Sequence, residues 1–275
     1  MELENLKLEG MVRQMEKVSW IDEVIFVFEI IGENAYKHMD NMLLFQKNTK
    51  IRLGNRILSS ILKTFETIRF AVSQHSYSDA YVLLRKIRDD ALLSLILIEL
   101  VAKYNQESIT QERSHNQKAM TEEQVAAWFE SELKNTEKIG YTKFMSYFRA
   151  NEVISKFIAC FYEDKLKKWD RILNDHVHGN SYLSYCDNND YTDIREAEIK
   201  ELAFGLTSFI LSMLILVDPS YIASSDYGDF YEQGLTPPDG SQYWVAPVFV
   251  DYMKERMSSD EVEYLRKNRK YEMEF

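Results

Sequence analysis

The groups best suited to chemistry in this chain concentrate in one run, Trp169 to Asn180, WDRILNDHVHGN. It holds Arg171, Asn174, Asp175, His176 and His178 within eight positions. A guanidinium is a permanent cation that can hold an anionic group bidentately. An imidazole titrates near neutral pH and can carry a proton to or from a reacting atom. On a helix of about 100° per residue, Arg171, Asn174 and His178 share a face at i, i+3 and i+7. Asp175, at i+4 from Arg171, lies beside them. His176 sits about 140° around the helix from Arg171. A purely structural reading also fits this run. Histidines in a last helical turn complement the negative end of the dipole, and Arg171 with Asp175 is an ordinary i,i+4 pair.

These residues need a helix to hold them. The spacing predicts a long one over about Asn151 to His178, with Val153, Phe157, Ile158, Phe161, Leu166 and Trp169 as its buried stripe. Gly179 follows, where a left-handed residue ends helices well. Other helices are expected from about Trp20 to Phe45, capped by Ser19, and from about Ile51 to Gln74. A third, capped by Ser78, is apolar nearly all round from Ala91 to Ala102, as a central helix is. Arg85, Arg88, Asp89 and Asp90 form its one polar island. Arg85 and Arg88 either pair internally or line a cleft, where they would be substrate-binding residues.

Between these elements, 105–120 reads as a surface loop, and a capping box at Thr121 opens a helix to about Lys138. Residues 141–148 read as an aromatic connector. The loop after Gly179 is rich in tyrosine; Tyr182, Tyr185 and Tyr191 either pack beneath it or stack on bases. The run Leu202 to Val217 is the most apolar, yet it is shorter than a bilayer needs and carries Gly, Thr and Ser. A buried central helix in a chain without membrane contact is expected. From Asp218 the composition turns to Asp, Gly, Ser, Tyr and Pro. Trp244 and Phe249 there need burial, so an arm wrapping the helices or a partner subunit is expected. The segment around Pro247 reads either as a short strand or as a helix with Pro at N1. Ser258 with Glu261 makes a last capping box.

With only nine Gly and four Pro in 275 residues, and long periodic runs, the chain is expected to be all-α. The architecture expected is an up-and-down helical bundle over residues 1–217 with an irregular C-terminal extension over 218–275. The formal net charge of −11 makes the chain a poor general binder of nucleic acid, so any such site must be local. Cys160 and Cys186 have neither disulfide nor metal spacing and read as free buried thiols of a reducing cytoplasm. No cationic start precedes an apolar core, as a signal peptide requires. His176 and His178 diverge at i, i+2, so no metal site is expected. Phosphate-cradling, dinucleotide-binding and nucleophile-elbow motifs are absent, and no cofactor is expected.

An arginine followed after four to six residues by a histidine, near the end of a long helix, resembles the HEPN superfamily. Arg171 meets this pattern with both His176 and His178, and NDHVHGN resembles the Asn–Val–His–Gly ending of HEPN-like defence and toxin proteins. The helix DAYVLLRKIRDDALLSL resembles their Arg-bearing central helix, so the likeness covers about residues 55–217. It implies metal-independent RNA cleavage at a site across a homodimer in the cytoplasm, with an antitoxin or defence protein as partner. His178 would be the general acid or base, Arg171 would stabilise the pentavalent phosphate, and Asn174 would hold phosphate or fix the tautomer. Ile172 departs from the polar residue that follows the arginine in many catalytic members. That departure supports the alternative, a non-catalytic HEPN-like binding or scaffold protein.

Overall fold

The computed structural model describes residues 19–37, 42–45, 49–52, 56–105, 140–178, 192–271 and 273–274. Helix α1 spans Trp20–Lys37, and the strands β1 (Met42–Phe45) and β2 (Thr49–Arg52) form an antiparallel hairpin with Leu43 opposite Ile51. Helices α2 (Arg56–Ser73) and α3 (Tyr77–Asn105) follow. After residues 106–139 come α4 (Tyr141–Arg149), α5 (Glu152–Phe157), a π-helical turn (Ile158–Tyr162) and α6 (Glu163–His178). Helix α7 (Thr192–Val217) precedes the C-terminal region, which holds α8 (Asp226–Glu232), α9 (Pro247–Arg256) and α10 (Ser259–Asn268). The fold is all-α, with the hairpin its one pair of strands among the described residues.

Helix α3 is the hub. It packs against α2, α4, α6 and α7. Its stretch from Ala91 to Glu99 is buried on every side, as its all-round apolar sequence requires. Helix α7 is long and apolar enough to cross a membrane, but 83% of its most apolar stretch is buried within the protein. Phe209, Leu211, Met213 and Ile215 are fully buried there, which accounts for the apolar run as core.

Several boundaries differ from the sequence reading. The first helix ends at Lys37, and MLLF pairs with TKIR instead of continuing it. A four-residue apolar run carries too little periodicity to separate strand from helix. The aromatic stretch after Gly140 is not a connector but a helix that buries Phe144, Met145 and Phe148. Helix α3 starts one residue before Ser78, so Ser76 precedes it and Ser78 lies in its first turn. The loop and helix expected over residues 105–138 lie, apart from the end of α3 at Asn105, outside the described residues. So do Tyr182, Tyr185, Tyr191 and Cys186. Cys160 is exposed rather than buried, because it sits on the outer side of the π turn.

The long helix is interrupted once. Asn151 caps it, its side chain accepting from Val153 N and Ile154 N. Ile154, Ile158, Tyr162 and Leu166 are all buried, three successive steps of four residues. In a straight α-helix each such step drifts by about 40°, for about 120° in all. One π turn absorbs close to one residue of that drift. It keeps the stripe facing inward, brings Tyr162 into the core and leaves Phe161 half-buried.

The C-terminal region packs back onto the helices. Pro247 occupies the first turn of α9, and Phe249, Tyr252 and Met253 of that helix are buried. Arg256 grips Glu23 of α1 through Nε at 3.1 Å and Nη2 at 2.8 Å, and Asn34 donates to the Tyr221 carbonyl at 2.9 Å. Ser258 caps α10 by accepting from Glu261 N. The Glu261 side chain does not close the capping box. It turns into the core, 3% exposed, and accepts from the Tyr162 hydroxyl at 2.5 Å.

Candidate functional site

The packing of α3 on α6 sets the candidate site. Two contacts fix their register. Arg88 Nη1 donates to Asp170 Oδ1 at 2.9 Å, and the ring of His176 stacks on Tyr81. Later residues of α3 therefore meet earlier residues of α6, so the helices run antiparallel. Ser78, Tyr81, Arg85 and Arg88 fall at i, i+3, i+7 and i+10, within about 80° of one another around the helix.

Arg88 takes the internal alternative and is no candidate for binding substrate. Its side chain is 2% exposed, and Nε also donates to Asp89 Oδ1 at 2.9 Å. Its guanidinium lies over the Tyr141 ring, 3.8 Å from the centroid. A buried cation needs such partners, because taking it out of water unpaired is costly. Burial pushes the Tyr141 hydroxyl up to about 12, with Arg88 pulling the other way.

Arg85 lies on the same face of α3, between the Arg88 and Tyr81 contacts. It is half-buried, and its Nη1 is buried without a hydrogen-bond partner among the described residues. Beyond the Arg88–Asp170 pair a depression of about 500 Å³ is lined by Tyr141, Met145, Arg149, Glu163, Lys167 and Asp170. Among the described residues no histidine borders it.

Arg171 is exposed, and its guanidinium makes no ion pair or hydrogen bond with the described residues. The next residue, Ile172, is half-buried against the core, and Leu173 is fully buried. Asn174 and Asp175 are half-buried. His178 is the last residue of α6, so the helical register carries it to the backbone face of Arg171. The described residues do not include its side chain.

His176 is engaged on the other side of the helix. Its ring centroid lies 4.0 Å from that of Tyr81, with the planes 14° apart, and its Nδ1 is 3.5 Å from Ser78 Oγ. Tyr81 is 1% exposed, and its hydroxyl donates to Glu198 Oε2 of α7 at 2.5 Å. Burial first, and the Glu198 bond second, hold the phenol far above its ordinary range, while Arg195 acts in the opposite direction. Three helices thus meet at Tyr81.

Ser78, Tyr81, Asp170 and Glu198 were not singled out as site residues by the sequence. The polar lane on an otherwise apolar α3 was the signal for the first two. Asp170 and Glu198 carry no local signal, since exposed helical carboxylates are common. Among the described residues no group of three or more His, Cys, Asp or Glu side chains converges as a metal site would require. Comparison of the chain with protein-family models, curated proteins and solved structures finds no match.

Proposed function

We propose that this protein is a HEPN-like, metal-independent endoribonuclease of a bacterial defence or toxin system, working in the cytoplasm as a homodimer. The observation that carries the reading is the exposed guanidinium of Arg171, without a described partner, on the helix end that holds two histidines. Arg88, by contrast, is neutralised by carboxylates. In the reaction the RNA 2′-oxygen bonds to phosphorus as the bond to the 5′-oxygen breaks. A histidine takes the 2′-hydroxyl proton, and the 5′-oxygen leaves as a hydroxyl with a proton from water. Arg171 stabilises the charge that builds on the phosphate oxygens. Arg85, whose Nη1 has no hydrogen-bond partner among the described residues, is a further phosphate contact. An antitoxin or defence partner would cover this helix end.

The test is cleavage of total cellular RNA by purified protein in EDTA. The expected products end in 2′,3′-cyclic phosphate, and Arg171→Ala combined with His176→Ala and His178→Ala abolishes them. Cleavage that survives the triple variant, or no cleavage of any RNA, removes the ribonuclease reading. A non-catalytic HEPN-like scaffold then leads; Ile172 after the arginine and the net charge of −11 favour it.

A further inference from the structure

We propose that His176 is the proton-transfer group of this site and that Tyr81, Glu198 and Ser78 are its positioning residues. The inference rests on the ribonuclease reading and adds to it the residues that prepare the imidazole.

A general base must be held in plane and in azimuth before its proton arrives. Here the plane comes from Tyr81, whose ring lies against the imidazole 14° from parallel. Tyr81 cannot swing, because it is buried and its hydroxyl is tied to Glu198. Burial keeps that phenol protonated across the working range, so the tie persists at neutral pH. The azimuth comes from Ser78 Oγ on the Nδ1 edge; at 3.5 Å the contact is long and selects an edge more than it binds. His176 is only half-buried, so its surface remains open in part to solvent.

Simple helix packing would need only an apolar side chain opposite Tyr81. A stacked imidazole with a carboxylate-anchored phenol behind it is a more demanding arrangement. Its parts come from α3, α6 and α7, so it forms only when all three helices are docked. Helix α6 places Arg171 about 140° from His176. One chain therefore presents the cation and the imidazole in different directions.

The experiment is single-turnover cleavage of an RNA oligonucleotide by the full-length protein. Tyr81→Phe keeps the ring and removes the hydroxyl; Glu198→Gln keeps a hydrogen-bond acceptor and removes the charge. Each is made alone and on His176→Ala. Positioning is a fraction of the ~10²–10⁴-fold that a placed base contributes, so each single variant should lose roughly tenfold in kcat at unchanged KM. On His176→Ala neither should lose anything further, because both act through the missing ring. Losses that multiply, or full kcat in Tyr81→Phe, overturn the proposal and leave the ribonuclease reading standing.

A second readout needs no activity. The ring resonances of His176, assigned by their loss in His176→Gln, should be shifted upfield by Tyr81 and report one dominant tautomer. Tyr81→Leu should return them to solvent-like positions with mixed tautomers. Solvent-like resonances in the unmodified protein overturn the positioning whatever the activity. If the protein cleaves no RNA, the ribonuclease reading and the catalytic role fall together, and these resonances alone decide whether the ring is held.

Discussion

His176 lies flat against Tyr81, the ring centroids 4.0 Å apart, and this stack joins the end of α6 to the start of α3. The Arg88–Asp170 ion pair joins the same helices nearer their middles. Between the two contacts the face of α6 toward α3 is fixed, and Arg171 is left on the outside. The exposure of Arg171 therefore follows from contacts made by other residues.

Replacing Arg171 by alanine should leave the fold intact. An exposed side chain without a described partner changes stability by no more than about 0.5 kcal/mol. If Arg171 stabilises the pentavalent phosphate, the loss in catalysis is roughly 3–4 kcal/mol by analogy with lost oxyanion donors. Thermal melting and kcat should thus separate cleanly. A drop in melting temperature that matches the loss of activity would mark Arg171 as structural.

Arg88 should behave in the opposite way. Arg88→Ala leaves Asp170 and Asp89 without their cation and opens a gap beneath Tyr141, for a cost of about 3–5 kcal/mol. Urea unfolding would measure it. Arg88→Met combined with Asp170→Leu should recover part of the loss, since an apolar pair of similar size avoids desolvating charge. Recovery by neither replacement would assign Arg88 a role outside this ion pair.

Gly205 of α7 is a tight point. A Cβ there would stand 2.5 Å from Cζ2 of Trp169. Gly205→Ala gains up to about 1 kcal/mol of helix propensity. It must also push aside an indole that is buried among Tyr162 and its neighbours, at about 1–3 kcal/mol. The second effect should win, with a net loss of stability and a change in tryptophan emission. Trp169 precedes Asp170 and Arg171 in sequence, so under the proposed ribonuclease reading cleavage should fall as well. A stabilised variant would show that the indole moves freely.

The link between α10 and the π turn is also testable. Tyr162→Phe removes the hydroxyl that Glu261 accepts from, leaving a buried carboxylate with Ser212 Oγ at 3.3 Å as its remaining described side-chain donor. A loss of about 1–3 kcal/mol is expected. Tyr162→Phe with Glu261→Leu should lose less than Tyr162→Phe alone. Truncation after Val217 should lower the melting temperature further, because Phe249, Tyr252, Met257 and Leu265 leave the core. An unchanged melting temperature in the truncated protein would make the C-terminal region an appendage.

Alkaline pH should unfold the protein through its buried tyrosines. Burial raises Tyr141 from 10.0 to about 12, so its contribution is complete below pH 10 and is lost as pH climbs through 12. Tyr81, Tyr162 and Tyr252 are raised in the same direction. Stability measured in urea should fall over this window, and Tyr141→Phe should make the fall shallower. An identical slope in that variant would show that Tyr141 does not take part.

Much of the architecture was legible in the sequence because periodicity is local. The all-round apolar stretch of α3, the apolar run of α7 and the long helix ending at His178 each show their helical character within a few turns. The cluster at the end of α6 was visible for the same reason, as was Pro247 at the start of α9. What spacing within one helix could not show is which face another helix covers. Arg85 and Arg88 looked alike in sequence, yet only Arg88 meets Asp170, a residue far along the chain. His176 and His178 likewise differ by two positions, and only the docking of α3 and α7 gives His176 its stack on Tyr81 with Glu198 behind. Glu261 was expected at a helix cap, and the core took its carboxylate because Tyr162 had been turned inward by the π turn. The sequence by itself determined the long helices and the reactive groups they carry, since both are properties of neighbouring residues. Tertiary structure alone decided which of those groups are neutralised, stacked or left open, because burial and partnership arise between residues that the chain holds far apart.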